Sequence, residues 1–500
     1  MSIALLLELA AESFGDRVAV EWDDGRLTYA ALRERAARAA DTLGDLGPGP
    51  IGYLGDTGPG LPVALFAAAW AGRPFVALNH RLPPASLRTA VDDLGRGAVV
   101  VVGPGAPSPA PAGPATLGVG RLLEPADTGS AVAPPAEVDP DRPAVELFTS
   151  GTGGRPKRAI LLHEHLFTYV TATVDLGAAE GERLLLATPP FHIAAITAVL
   201  TACFAGRTIV ALGRFTPRAW LDAVDRHAVT HAFVVPTMLA RILDELDGPP
   251  ERPAPALRHL AYGGARAPRP VVERALARFP DTALVNAYGL TETSSTITLL
   301  GPEDHDRARA GDPEARRRLD SVGRPLPGVE VCVVGPDGAD VPAGEVGEVL
   351  VRGPQVSGRY AGRAAATRDG GWLPTGDVGR LDAAGYLYLG GRADDVIIKG
   401  AENLSPGEIE DALLAHPGVT AAAVVGVPHP TWGEDIGAAV VAAPGRAPDG
   451  DDLRAWVRDR LGSFKTPAVV ELVDALPETP TGKVRRRDLR RALTSGAGAP

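Results

Sequence analysis

Cysteine is scarce in this sequence of 500 residues, which contains only Cys203 and Cys332. Both stand in apolar runs, so we expect two buried free thiols in a reducing compartment and no disulfide framework. Basic residues are also outnumbered, because 50 lysines and arginines face 61 acidic residues, for a formal net charge of −11. This balance provides no basic surface and argues against nucleic acid as a partner.

Long apolar runs are missing as well. No uninterrupted run reaches about 18 residues, so we expect no membrane span. The first residues lack a basic region and include Glu8, which argues against a signal peptide and for a cytoplasmic protein. A hydrophobic fraction of 45% with 22% charged residues is typical of a globular protein. The length suffices for two or three domains.

Short β-rich runs alternate with helical patterns, which favours an α/β fold with mostly parallel sheets. The segment Tyr29–Leu43 carries Leu32, Ala36, Ala39 and Leu43 on one face, and Thr28 is placed to cap that helix. The predicted strands are Val18–Trp22, Ala98–Val102, Leu184–Thr188, Thr208–Leu212, Ala232–Val235, His259–Tyr262 and Ala283–Ala287.

The character of the chain changes after Gly391, where a compact alternation of helix and strand begins. We therefore expect a large N-terminal domain over residues 1–392, built of mostly parallel sheets flanked by helices. A small α+β C-terminal domain is expected over residues 393–500, within the usual size of a domain.

The strongest local motif is Phe148–Lys157, which reads FTSGTGGRPK. Its glycines let backbone amides point inward at an anion, its hydroxyl groups add donors, and its lysine adds a positive charge. It differs from a kinase-type P-loop, because the wording Gly-Lys-Ser/Thr is absent. A turn without a ligand is the alternative interpretation. The candidate ligands of a nucleotide's β- and γ-phosphates are Thr149, Ser150, Gly151, Thr152, Gly153, Gly154 and Lys157.

This segment resembles the phosphate-binding loop of the adenylate-forming superfamily, which includes acyl-CoA synthetases, peptide-synthetase adenylation domains and beetle luciferases. The family wording is Thr-Ser-Gly-Thr-(Thr/Ser)-Gly-x-Pro-Lys-Gly. Here Gly153 replaces a hydroxyl residue, and Arg158 replaces the last glycine and adds bulk and charge beside the loop. Further blocks follow in the family's order and extend the resemblance over essentially the whole chain.

Two of these blocks resemble the nucleotide motifs of the family. The resemblance implies that Tyr288 stacks on adenine, that Thr291 donates to the α-phosphate and that Glu292 helps to hold Mg²⁺. For Glu292, a surface carboxylate at a helix start is the alternative. Asp377 would accept from the ribose hydroxyls, with Arg392 as its second partner. The remaining residues implied at the nucleotide are Gly264, Asn286, Ala287 and Gly289.

The segment Tyr262–Arg266 resembles the family's glycine turn, which borders both adenine and the acyl group. Gly263 and Ala265 would then line the acyl pocket. Arg266 is either a surface residue or a contact for a polar substrate. His192 matches a position that gates the acyl pocket, and it follows a predicted strand, as α/β sites do. A packed core histidine is the alternative.

The C-terminal part resembles the family's small mobile domain, which supplies a catalytic lysine, here Lys483 in Pro480-Thr-Gly-Lys-Val-Arg. Asp394 matches the hinge about which that domain rotates between two steps. The residues matching the tunnel for coenzyme A are Lys399, Gly400, Ala401 and Glu402.

The resemblance implies an ATP-dependent carboxylate–CoA ligase that uses Mg²⁺. The acid would be an aryl or medium aliphatic one. A ligase that loads a carrier protein, or that adenylates another anion such as nitrite, is an alternative. A catalytically silent nucleotide-binding regulator is a third, against which the retention of both Glu292 and Lys483 argues.

Overall fold

The computed structural model describes residues 1–107, 113–124, 133–139, 141–149, 157–178, 180–246, 254–392, 395–399, 402–446, 448–478 and 484–496. For Glu402, Asn403 and Gly496 only the backbone is described.

The helices in these residues are α1 Ala4–Phe14, α2 Tyr29–Leu46, α3 Gly60–Trp70, α4 Pro84–Asp92, α5 Val119–Leu123, α6 His163–Thr173, α7 Ile193–Ala205, α8 Pro217–Arg226, α9 Pro236–Glu245, α10 Arg269–Arg278, α11 Pro302–Arg309, α12 Pro313–Arg318, α13 Pro406–Leu414, α14 Gly450–Leu461 and α15 Arg486–Gly496. The strands are β1 Val18–Trp22, β2 Gly25–Thr28, β3 Ile51–Leu54, β4 Phe75–Leu78, β5 Val99–Val102, β6 Ala115–Gly118, β7 Pro143–Thr149, β8 Lys157–Leu162, β9 Arg183–Leu186, β10 Thr208–Ala211, β11 His231–Val234, β12 His259–Gly263, β13 Ala283–Leu290, β14 Ser295–Leu300, β15 Arg324–Pro325, β16 Glu330–Val334, β17 Gly347–Arg352, β18 Arg359–Tyr360, β19 Leu373–Leu381, β20 Leu387–Arg392, β21 Ile397–Lys399, β22 Glu402–Leu404, β23 Val419–His429, β24 Gly433–Ala442 and β25 Val469–Leu472.

Two large sheets organise the first part of the chain. One has the order β18-β8-β7-β4-β3-β5-β6, with parallel pairs from β7 to β6. The other has the order β15-β14-β13-β12-β11-β9-β10-β1-β2, with parallel pairs from β13 to β1. Helices connect most of the parallel neighbours, because a parallel pair needs a crossover.

The main core lies between these two sheets, where α2 and α3 pack against each other. α2 covers β1 and β2 of one sheet, while α3 covers β3 and β4 of the other. Every residue of α3 is buried, since apolar residues surround its axis. The core therefore joins the two sheets through their facing helices, and the carboxyl ends of the parallel strands remain for polar groups.

Two smaller sheets follow. The first is antiparallel, with the order β16-β17-β19-β20, and ends at Arg392. The second has the order β22-β21-β24-β23, with β25 beside β24, and contains only strands after Ile397. Its own buried cluster includes Ile409, Ile436 and Val457. The expected α/β fold, with a large N-terminal and a small C-terminal domain, is confirmed.

The predicted elements are present with small shifts. The predicted strands correspond to β1, β5, β9, β10, β11, β12 and β13. Thr28 caps α2 as expected, because its Oγ1 accepts from the Ala31 N–H at 3.2 Å. None of the described helices combines the length and apolar character that a bilayer crossing requires.

The two cysteines are free, and Cys203 is buried as expected, but Cys332 is only partly buried. Its strand, β16, is an edge strand of the small antiparallel sheet, so one side of it is not covered by a neighbouring strand of that sheet.

Buried histidines are a feature of the large domain with consequences for its stability. Burial lowers the pKa of His163, His165 and His192 to about 4 each. It lowers the pKa of His231, which stacks on another histidine ring with centroids 4.6 Å apart, to about 3. These imidazoles are neutral in the folded protein at neutral pH.

We predict that the folded state loses stability as the pH falls from about 6.5 towards 4. Between these two pH values the histidines of the unfolded chain bind protons, whereas the buried histidines of the folded chain do not. Their contribution to stability is therefore complete above about pH 6.5 and declines below it. His163→Asn should reduce the loss between pH 7 and 5 by about 2 kcal/mol. Asparagine can still accept from the Ile3 N–H, which lies 3.2 Å from Nδ1 of His163. Urea unfolding at both pH values measures the effect, and an unchanged pH dependence in the variant would contradict it.

Candidate active site

A tyrosine, a carboxylate and a guanidinium meet where β13 crosses the small antiparallel sheet. The Tyr288 hydroxyl donates to Oδ2 of Asp377 at 2.5 Å. Nη1 of Arg392 donates to Oδ1 of the same carboxylate at 3.1 Å and to the Thr375 carbonyl at 2.9 Å. Asp377 and Arg392 are direct partners in the β19–β20 ladder, so the sheet register places them together. Burial, followed by the Asp377 charge, raises the pKa of Tyr288, which therefore remains a hydrogen-bond donor.

A second carboxylate lies on the turn that follows β13. The Tyr360 hydroxyl donates to Oε1 of Glu292 at 2.7 Å. The ammonium of Lys157 lies 5.3 Å from the Tyr360 ring centroid. Within the described part of the chain, Glu292 accepts this single side-chain hydrogen bond, so Oε2 is available to a further group. The sequence interpretation missed Tyr360. Its only signal was an aromatic residue set among the charged residues Arg359 and Arg363.

The turn that carries Glu292 has an unusual backbone. Ser294 and Ser295 have φ of 56° and 102°, values that few residues other than glycine adopt. A Cβ on Gly289 would lie 1.7 Å from the Ser295 carbonyl oxygen, so that position requires glycine. The Thr293 hydroxyl bonds to Leu290 and Ser295 and closes the turn. Such strain is concentrated at functional sites.

The glycine turn after β12 lies beside this group. Gly263 pairs with Ala287 across the β12–β13 ladder, and a Cβ there would lie 2.0 Å from the Ala287 carbonyl oxygen. Glycine is therefore needed for strand packing, whereas the sequence suggested close approach by a ligand. Gly264 has φ of 78° and begins the turn that leads to Ala265. Asn286 is buried and donates to the Ser321 carbonyl at 3.3 Å.

The β7–β8 hairpin brackets the predicted phosphate loop. Thr149 and Lys157 face each other in its ladder, and the Thr149 hydroxyl donates to the Lys157 carbonyl at 3.4 Å. The loop residues themselves lie outside the described residues, namely Ser150, Gly151, Thr152, Gly153 and Gly154.

The charge of Arg158 is paired within the β7–β8 hairpin. Its Nε lies 2.7 Å from Oε2 of buried Glu146, and its Nη1 donates to the Asp93 carbonyl at 2.7 Å. Burial raises the pKa of Glu146, and Arg158 opposes that rise. The pair joins neighbouring strands of the hairpin, so this arginine stabilises the fold beside the loop.

His192 precedes α7, just beyond the carboxyl end of β9. Its ring lies 4.9 Å from that of Phe191, and its Nε2 is buried without a hydrogen-bond partner among the described residues. Since burial lowers its pKa to about 4, the ring is a neutral polar group within an apolar surrounding. No described contact joins it to Tyr288 or Glu292, so its place at an acyl pocket stays a prediction.

In the small domain, Lys399 is directed inward. Its ammonium lies 2.6 Å from Oδ1 of Asp435 and donates to the Phe464 carbonyl at 3.1 Å, and the residue is 7% exposed. It joins the β21–β22 hairpin, to which Glu402 contributes its backbone, to the body of the domain. The other predicted residues of this domain, Asp394, Gly400, Ala401 and Lys483, lie outside the described residues.

These groups suit a nucleotide with a cation. Asp377 presents acceptor atoms for a diol beside the ring of Tyr288. Oε2 of Glu292 is the kind of ligand that Mg²⁺ prefers. Among the described residues, no three His, Cys, Asp or Glu side chains gather into a metal site. A cation at Glu292 would therefore need ligand oxygens to complete its shell, as phosphates provide.

The sequence matches two protein-family models. Residues 7–361 match the model of the AMP-binding enzyme family, and residues 408–483 match that of the AMP-binding enzyme C-terminal domain. The chain is 39% identical over 479 residues to a feruloyl-CoA synthase of an Amycolatopsis species, covering 93% of this chain and 94% of the relative.

Two further similarities bear on the ligands. A fatty acid–[acyl-carrier-protein] ligase of Streptomyces coeruleorubidus is 35% identical over 488 residues, covering 93% of this chain and 92% of the relative. The solved structure of O-succinylbenzoate coenzyme A synthetase from Bacillus subtilis, in complex with ATP and a magnesium ion, superposes with a TM-score of 0.81. It is 29% identical, and 98% of each chain is covered.

We predict that Arg158→Ala costs about 3 kcal/mol of unfolding free energy, because it leaves the Glu146 carboxylate buried without its partner. The double variant Glu146→Leu/Arg158→Ala should recover most of this loss, since no charge then remains buried. Urea unfolding measures both.

The matched control is Arg359→Ala, which breaks an exposed ion pair with Asp141 and should change stability by less than about 1 kcal/mol. Equal losses in the single and double variants would contradict the assignment of the Glu146–Arg158 pair.

Proposed function

Because the chain belongs to the family of AMP-binding, adenylate-forming enzymes and is an AMP-forming acid–thiol ligase, we propose that it is a carboxylate–CoA ligase acting in two steps. In the first step the acid attacks the α-phosphorus of ATP, forming acyl-AMP and releasing pyrophosphate. In the second step the thiol of coenzyme A attacks the acyl carbon, forming acyl-CoA and releasing AMP. We expect both in the cytoplasm.

The observation that carries this proposal is the convergence of two carboxylate sites around β13. Asp377, held by Tyr288 and Arg392, would accept from the ribose hydroxyls while the Tyr288 ring stacks on adenine. At the other end of the same turn, Glu292 would help to hold Mg²⁺ beside the phosphates. In this proposal the base and the sugar would lie at Tyr288 and Asp377, and the phosphates would lie at Glu292.

The first step needs positioning and neutralisation of charge more than a reactive side chain. The loop between Thr149 and Lys157 would hold the β- and γ-phosphates, and Thr291 would donate to the α-phosphate. Lys483 would bridge the attacking carboxylate and the α-phosphate, where negative charge gathers. Mg²⁺, when bound, would neutralise charge on the phosphate oxygens.

The acyl group would lie near His192, Gly263 and Ala265. We propose an aryl acid as the substrate, because Phe191 and the neutral His192 ring combine an aromatic surface with one polar atom. The similarity to a feruloyl-CoA synthase supports the same class.

The second step requires the small domain to present another face to the acyl-AMP, with Asp394 as the proposed hinge and residues 399–402 along the path of coenzyme A. In the described arrangement Lys399 is paired with Asp435, so its proposed contribution is to hold the hairpin in shape. A carrier protein is the second candidate acceptor, favoured by the similarity to an acyl-carrier-protein ligase.

The first test measures pyrophosphate release over a panel of aryl, aliphatic and inorganic anions, with coenzyme A present and absent. We expect release with an aryl acid and continuous turnover to acyl-CoA only when coenzyme A is present. Turnover with a carrier protein but not with coenzyme A would show that a carrier protein is the acceptor. Pyrophosphate release with nitrite alone would show that nitrite, and not a carboxylic acid, is the substrate. The absence of release with every anion would overturn the proposal.

Lys483→Ala is the matched variant for this assay. It should reduce pyrophosphate release about a hundredfold or more, since it removes one contact to developing charge. Its transfer of a supplied acyl-AMP to coenzyme A should persist. Equal damage to both steps would contradict the assigned role of Lys483.

We also predict that Asp377→Ala raises the KM for ATP about tenfold or more, because it removes charge-assisted hydrogen bonds to the ribose. The KM for the acid should change far less. Asp377→Asn keeps an acceptor for Tyr288 and should have a smaller effect. Circular dichroism checks that both variants fold. A rise confined to the KM for the acid would assign Asp377 to the acyl pocket.

A further inference from the structure

Arg266 connects the two domains. It follows the glycine turn after β12, and its Nη2 donates to Oδ2 of Asp411, which lies on α13 of the small domain. Of the two interpretations that the sequence left open for Arg266, a surface position and a contact to a polar substrate, neither anticipates this ion pair.

Arg266 stabilises the charged form of the Asp411 carboxylate. Burial raises the pKa of Asp411 to about 6, Arg266 opposes the rise, and the nearby acidic residues Asp320 and Glu410 add to it. The neighbouring Arg269 is already engaged within the large domain, because its Nη1 lies 3.1 Å from Oδ2 of Asp320. Removing Arg266 would therefore leave a partly buried carboxylate without its counter-charge at the boundary between the domains.

The first turn of α13 leaves room for the arginine. A Cβ on Gly407 would lie 1.7 Å from Nη1 of Arg266 and 2.8 Å from its Cζ. No unusual backbone angle requires glycine at this helical position. Helix propensity does not favour glycine over alanine there. The space that the missing side chain leaves is occupied by the Arg266 guanidinium.

In the same arrangement of the domains, a segment near the C-terminus of the small domain lies close to the large domain. Glu478, which forms an antiparallel bridge with Val484, experiences the charge of Arg241 on α9. The pair 478 and 484 brackets the segment that contains Lys483 in the sequence. α9 begins at the carboxyl end of β11, on the sheet edge that carries the candidate active site. Lys399, by contrast, is directed into the small domain.

We propose that Arg266 is a positioning residue that, through Asp411 and the seat at Gly407, holds the small domain in the arrangement that forms acyl-AMP. The inference rests on the proposed two-step function and adds to it the contact that opposes rotation. When the domain turns for the thiol step, this ion pair must break. Its strength therefore sets how the enzyme divides its time between the two steps.

The test measures both half-reactions separately in Arg266→Ala. We expect pyrophosphate release to fall about fivefold, as for loss of a partly exposed ion pair that leaves one charge desolvated. Transfer from supplied acyl-AMP to coenzyme A should stay equal or become faster. The KM values for ATP and for the acid should change less than about twofold, because neither ligand is touched.

Two further variants separate this role from simple structural damage. Asp411→Ala and the double variant Arg266→Ala/Asp411→Ala should both be milder than Arg266→Ala, since neither leaves the carboxylate unpaired. Gly407→Ala should slow pyrophosphate release while leaving thermal stability equal or higher, and should have no further effect in the Arg266→Ala background. The control Arg218→Ala breaks an exposed pair with Asp222 within α8 and should change neither step.

Several outcomes would overturn the inference. These are equal loss in both half-reactions, additive effects of the Arg266 and Asp411 substitutions, or a rise in the KM for the acid that is independent of Asp411. The wild-type half-reactions test the proposed function itself. If wild type releases no pyrophosphate, the inference can still be tested by fluorescence transfer between one label on each domain. Arg266→Ala must then shift the distribution of distances between the two labels. An unchanged distribution would refute the inference.

Discussion

The segment of residues 355–360 joins the two large sheets next to the turn that carries Glu292. Nε2 of Gln355 donates to the Thr293 carbonyl at 2.9 Å, and the Ser357 N–H donates to the Glu292 carbonyl at 2.8 Å. The Ser357 hydroxyl then donates to the Ile160 carbonyl of β8, and Tyr360 extends the same sheet. These hydrogen bonds connect the turn after β13 in one large sheet with β8 in the other.

The electrostatics of the site follow from that junction. Tyr360 reaches Glu292 because its strand pairs with β8, and Lys157 lies beside the same ring because it begins β8. On the other side of the turn, β13 presents Tyr288 to Asp377. A neutral tyrosine hydroxyl orients each carboxylate, and Asp377 is also paired with the Arg392 guanidinium. Such preorganised groups are what a polyanionic nucleotide with its cation would require.

Among the described residues, the Arg266–Asp411 ion pair links the small domain to the large one beside the glycine turn. The ion pair is partly exposed, with side-chain exposures of 41% and 29%, so its strength is modest. A modest contact suits the domain rotation that we propose. Among the described residues, the apolar cluster of the small domain is separate from that of the large one.

The sequence alone determined the periodic elements, because alternating and helical patterns depend on neighbours along the chain. It identified β9 to β13 and the cap at Thr28, and its motifs led to Tyr288, Glu292 and Asp377 and to the family. It could not identify Tyr360, the pairing of Arg158 with Glu146, or the contact of Arg266 with Asp411. These partners are between 12 and 145 residues apart, and only the packing of sheets and domains brings them together. Charge and burial are properties of that packing, which is why the tertiary structure decided where each arginine and lysine is directed.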